Sequence, residues 1–154
     1  LTAAPELKAT TLARSCYSSM FNGCTNLTSA PVLPATTLAD HCYYAMFYGC
    51  ASLTAAPELP ATTLAESCYG SMFYNCKSLS TVTMLAPVSE IYYMWECYSS
   101  WLYDGAGTEA NSRTLKVRDE AAYNMLEGNG LLPDIWKIGT EGTKVLNKDN
   151  TEIK

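Results

Sequence analysis

The residues with most chemical promise are the cysteines and the single histidine. His41 precedes Cys42, and a Cys–His nucleophile needs the imidazole within hydrogen-bond reach of the thiol. The neighbours give little support for that pairing. The stretch Leu27 to Ser52 occurs almost verbatim from Leu1 and again from Leu53, and a diverged fourth copy starts at Leu79. Cys42 matches Cys16 and Cys68 in the other copies, so it occupies a fixed slot. His41 stands where they carry Ser15 and Ser67. At about 100° per residue the two side chains diverge, and a cysteine in a fixed inward slot is inert. A zinc site calls for four N or S ligands, with cysteines at short spacing. Here Cys16 and Cys24, Cys42 and Cys50, and Cys68 and Cys76 are each eight residues apart. Gly105-Ala106-Gly107 has neither a feeding apolar strand nor a following Gly-Lys-Ser/Thr, so it reads as a connector and not as a phosphate loop. No cofactor is called for.

Cysteine placement also argues against a disulfide framework. Eight residues along a helix span about 12 Å, and equivalents in stacked copies would lie about 5 Å apart with parallel Cβ vectors. The seven cysteines are therefore expected to be free thiols serving as small apolar residues.

Self-similarity at a 26-residue period is the mark of a stacked array. Within the first copy the slots shared by the three close copies are Leu12, Ala13, Cys16, Tyr17, Met20, Phe21 and Cys24, while Arg14, Ser15, Ser18, Ser19 and Asn22 change. On a helical wheel the fixed slots fill one half, which predicts an amphipathic helix from Leu12 to Cys24 and its equivalents. Thr10-Thr11, Thr36-Thr37 and Thr62-Thr63 are placed to cap it. Leu27, Ala30 and Leu33 suggest a short extended segment, kept to roughly two to four residues because Pro31 and Pro57 remove ladder donors.

Copy four carries three extra residues between Leu85 and Cys97 and places Trp101-Leu102 where the others have Met-Phe. Trp95 and Trp101 are expected in the core or cap. Beyond it the sequence predicts a flexible loop over 105–112, a strand at Thr114 to Val117 and a helix from Glu120 to Leu126 stopping near Gly128-Asn129-Gly130. Ile135 to Ile138 reads as a strand or docking segment, and Val145 to Ile153 as a terminal hairpin. The expected organisation is a repeat array over 1–105 and a C-terminal capping segment over 106–154.

The formal net charge is −5, and most charged residues lie after residue 78. The absence of a basic stripe argues against nucleic acid, and no apolar run approaches the roughly 18 residues that span a bilayer, so direct membrane insertion is not expected. The chain opens on the first residue of a repeat, without Met, which reads as a fragment or processed product.

Met46-Phe47-Tyr48-Gly49-Cys50-Ala51-Ser52-Leu53-Thr54 and Pro57-Glu58-Leu59-Pro60 resemble the BspA-type leucine-rich repeat, a pattern of apolar-Phe-x-x-Cys-x-x-Leu followed by a proline-containing step. The resemblance implies an α/β leucine-rich-repeat solenoid of short strands and short helices, in a secreted or surface-anchored bacterial protein linked to adhesion. It implies no catalytic residues. The expected function is a non-enzymatic extracellular interaction module, contacting protein or glycan on a host or neighbouring cell. A structural spacer holding another domain off the cell surface is the alternative, and a cysteine-dependent enzyme fragment the remote one. The candidate contact residues are Tyr44, Tyr48 and Tyr74, with His41, Arg14 and Glu66 nearby. Tyr17, Tyr43 and Tyr69 are fixed and read as structural.

Overall fold

A computed structural model describes residues 1–154. Its regular elements are few and lie in the second half of the chain. They are strand β1 (Thr81–Met84), helix α1 (Val88–Tyr93), strand β2 (Arg113–Val117), helix α2 (Glu120–Gly128) and strand β3 (Thr143–Leu146), with 3₁₀ turns at Trp95–Tyr98 and Asp134–Trp136. The three strands form an open parallel sheet in the order β1-β2-β3, with Thr81 opposite Thr114 and Leu115 opposite Val145.

The expected leucine-rich-repeat solenoid of short strands and short helices is corrected by this architecture: copies one to three contain no helix and no strand. Where a helix was expected, the chain runs as a ribbon of tight turns. Every fourth residue is left-handed: Ser15, Ser19 and Gly23, then His41, Ala45 and Gly49, then Ser67, Ser71 and Asn75, with φ between 50° and 74°. Alternate N–H groups bond three residues back, as from Ser18 to Ser15, Met20 to Tyr17 and Asn22 to Ser19 (3.1–3.2 Å). The intervening ones donate to the next copy: Tyr17 to the Cys42 carbonyl, Ser19 to Tyr44, Phe21 to Met46 and Gly23 to Tyr48 (2.8–3.0 Å). A helix would satisfy its donors locally. Here half of them tie one copy to the next.

The extended segments are shorter than expected. They meet at single-residue parallel bridges, Ala3 to Ser29, Ser29 to Ala55 and Ala55 to Thr81, with further ones at Thr37 to Thr63 and Leu59 to Met84. Prolines 31, 34, 57 and 60 remove donors from these stretches. Where the Ala-Pro pair gives way to Thr81-Val82-Thr83-Met84, rich in β-branched residues, a full strand forms.

Like residues stack on like. Phe21, Phe47 and Phe73 lie 5.6 and 5.8 Å apart, and Tyr17, Tyr43 and Tyr69 lie 6.1 and 6.3 Å apart, with near-parallel rings. One continuous core of 41 buried apolar residues runs from Leu7 to Ile153. Cysteines belong to it in part: Cys42, Cys50 and Cys76 are buried, while Cys16 is exposed and Cys24 half-buried. The expectation of seven free thiols is corrected as well, since Cys68 and Cys97 form a disulfide with their Cα atoms 5.1 Å apart. That separation is ordinary for a bridge, and the two residues are 29 apart in sequence instead of 26.

Past copy four, β2 and α2 fall where the sequence places them, and the Asp119 side chain caps α2 by accepting from the Ala122 N–H at 2.9 Å. Residues 135–138 do not form a strand. They hold a 3₁₀ turn that buries Trp136, whose indole N–H donates to the Ala106 carbonyl at 3.0 Å. The stretch expected as a loose loop is thereby pinned. A Cβ on Gly107 would lie 2.8 Å from the Trp136 ring and 2.9 Å from the Leu79 carbonyl, so only glycine fits. The expected terminal hairpin is short. The chain returns against β3 at the antiparallel bridge Leu146 to Glu152, with the Asn147 N–H donating to the Thr151 carbonyl and the Ile153 N–H to that of Val145 at 2.8 and 2.9 Å. Along its other edge β3 pairs in parallel with β2. Arg113 locks this end. Its guanidinium donates to the carbonyls of Ile135, Gly107, Ala110 and Glu141 and to the Thr143 hydroxyl, at 3.0–3.3 Å.

Candidate functional site

The turn ribbon sorts its side chains by fours. In copies two and three, pairs such as Cys42-Tyr43, Met46-Phe47 and Met72-Phe73 face the core and the residues between them lie towards the outside, with Ala45 and Gly70 buried as exceptions, so the changing slots form columns across the copies. One column holds Arg14, Asp40 and Glu66, a second Ser18, Tyr44 and Gly70, and a third Asn22, Tyr48 and Tyr74. The Asn75 N–H donates to the Tyr103 carbonyl as the Gly49 N–H donates to that of Tyr74, so Tyr103 continues the third column.

Tyr48 and Tyr74 stack with ring centroids 4.7 Å apart and planes 8° from parallel. Partial burial and the neighbouring Asp104 carboxylate raise the Tyr74 phenol above its ordinary range. Tyr103 is held by its hydroxyl, which donates to the Gly130 carbonyl at 2.6 Å. Tyr44 leans over the next copy, where Gly70 leaves room for it: a Cβ there would lie 2.8 Å from the Tyr44 ring. His41 packs 5.7 Å from Tyr44, and its Nδ1 is buried without a hydrogen-bond partner.

The candidate residues are therefore gathered in part. Tyr48 joins Tyr74, and His41 joins Tyr44. Arg14 and Glu66 stand exposed in the first column with Asp40 between them, and the Glu66 N–H donates to Asp40 at 3.2 Å. Sequence reasoning missed Tyr103, although counting six residues on from Cys97, as Tyr74 follows Cys68, finds it. It also placed Trp95 in the core or cap, whereas that residue is 50 % exposed; Trp101 is fully buried.

The buried thiols serve as donors and packing groups. Cys50 and Cys76 donate to the Phe21 and Phe47 carbonyls of the preceding copy, at 3.1 and 3.0 Å. Burial pushes the Cys42 and Cys50 thiols up to about 11, against the direction a nucleophile needs. No three His, Cys, Asp or Glu side chains converge as metal ligands would, and no helix is long and apolar enough to cross a membrane. The chain matches no family model, no curated protein and no solved structure.

Proposed function

We propose that the protein is a non-enzymatic interaction module whose outward columns contact a protein or glycan partner at a cell surface. The observation that carries this reading is the Tyr48–Tyr74 stack, a parallel pair 4.7 Å apart on the changing side of the ribbon. Aromatic groups offer large contact area, and rings already fixed by stacking lose little rotamer freedom when a partner arrives. Interior columns repeat the same side chain while exterior ones differ, so surface chemistry varies over a constant interior. The extracellular placement, and the link to adhesion, rest on the resemblance of Met46 to Thr54 and Pro57 to Pro60 to the BspA-type family.

The test replaces Tyr48 and Tyr74 together by Ser and measures attachment of protein-coated beads to host cells and to matrix proteins. Attachment should fall at least fivefold with the fold intact by far-ultraviolet circular dichroism and a cooperative thermal transition. Unchanged attachment rejects the tyrosine stack as a contact site and leaves the spacer reading in its place.

A further inference from the structure

The three residues added in copy four build a second surface, independent of the tyrosine stack. Helix α1 buries Ile91 completely but leaves Tyr92 60 % and Tyr93 77 % exposed, and Trp95 follows at 50 %. Tyr92 and Tyr93 pack edge to face at 5.0 Å. Aromatic side chains open to this extent in one short run are characteristic of contact surfaces.

Their surroundings indicate what they meet. The Glu90 carboxylate accepts from the Leu64 N–H at 2.9 Å, and the Cys97 carbonyl accepts from the Tyr69 N–H at 3.1 Å. The Tyr69-to-Cys97 bond repeats the Tyr43-to-Cys68 one, so two residues earlier Trp95 follows Asp40 and Glu66 in the first column, and the Glu66 N–H is bonded to Asp40. Glu96 lies beside Trp95. Asp40, Glu66 and Glu96 are all exposed, and none pairs with a cation; the four ion pairs of the molecule lie elsewhere. Aromatic faces attract cations, and unpaired carboxylates complement a positive partner.

We propose that this corner binds a basic polypeptide segment, its Lys or Arg side chains lying on the Tyr93 and Trp95 rings and pairing with Asp40, Glu66 and Glu96. The inference goes beyond the tyrosine-stack reading and survives its failure. An anionic lipid surface is disfavoured, because the same three carboxylates repel it.

A fluorescein-labelled hexalysine peptide, with a hexaglutamate counterpart, titrated by anisotropy at low ionic strength tests it. Hexalysine should bind saturably and hexaglutamate should not. The variants Glu66→Gln/Glu96→Gln and Tyr93→Ser/Trp95→Ser should each weaken hexalysine binding by about fivefold or more, from two lost contacts of ordinary exposed strength. These positions are exposed, so both variants should keep the far-ultraviolet circular dichroism and the Tm of the parent within a few degrees. Trp95 is the exposed indole, whereas Trp101 and Trp136 are fully buried, so binding should also shift tryptophan emission. Tyr48→Ser/Tyr74→Ser should bind hexalysine as the parent does, which keeps the two surfaces distinguishable. Absence of saturable binding overturns the proposal. So does parent-like affinity in either corner variant, or tighter binding to phosphatidylserine vesicles than to hexalysine.

Discussion

Ser71 offers a substitution whose effect changes sign with the local structure. It lies in the ribbon of copy three with φ at 51°, and its N–H donates to Ser99 of the next copy at 2.8 Å. In a helix, alanine at this position would be more stable than glycine by about 1 kcal/mol. In the ribbon the order reverses. A left-handed conformation costs an alanine roughly 1–2 kcal/mol, whereas glycine avoids that cost but loses about 0.4–1 kcal/mol through its freer unfolded chain. Ser71→Gly is therefore expected to exceed Ser71→Ala by roughly 0.5–1 kcal/mol. Urea unfolding of the two variants measures this directly, provided the slopes agree. With a slope of about 2 kcal/mol per molar, the midpoints should differ by roughly 0.25–0.5 M, glycine higher. An alanine variant with the higher midpoint would refute the ribbon and restore the helix.

Two further outcomes are expected. Arg113→Met strips donors from four carbonyls and the Thr143 hydroxyl at once, so stability should fall by roughly 3 kcal/mol, given the strength of charged hydrogen bonds. A calorimetric scan should show Tm lower by about 6–12 °C. Arg113→Lys should recover little, since a single ammonium cannot fill the planar fork; full recovery would contradict the locking role. In the second case, the folded chain holds the Cys42 and Cys50 protons more tightly than the unfolded one, with values raised from 9.0 to about 11. Above pH 9 the unfolded chain releases these protons first, so stability is complete below pH 9 and declines as pH rises to 11. Burial of Tyr69 and Tyr98 acts in the same sense at higher pH. Tm should fall across that window, and less steeply in Cys42→Ala/Cys50→Ala; a flat profile would contradict the buried placement of these thiols.

The alternation of constant and changing slots was legible in the chain, and with it the inward position of Phe47, Met46 and Cys50 and the outward one of Tyr44. So were β2, α2 and the alignment of equivalent cysteines, seen where Cys50 and Cys76 each lie against the preceding copy. Local conformation was not. Fixed pairs at 12–13, 16–17 and 20–21 recur every four residues, and a helix drifts from that spacing by only about 40° per step. Over three steps both patterns stay in one half of the wheel. The wheel therefore could not separate a helix from a ribbon of four-residue turns.

What separates them is where the backbone N–H groups of Tyr17, Ser19, Phe21 and Gly23 go, and they go to the next copy. The same dependence on neighbours explains the other surprises. The disulfide required Cys97 to arrive beside Cys68 with an offset of 29 residues. Trp95 was left in solvent because the extra turn of copy four turns only Ile91 inward. The sequence by itself determined which residues share an environment, because repetition makes equal positions equal. Only the tertiary structure decided what that environment is, because hydrogen bonds between residues 25 apart leave no mark on local periodicity.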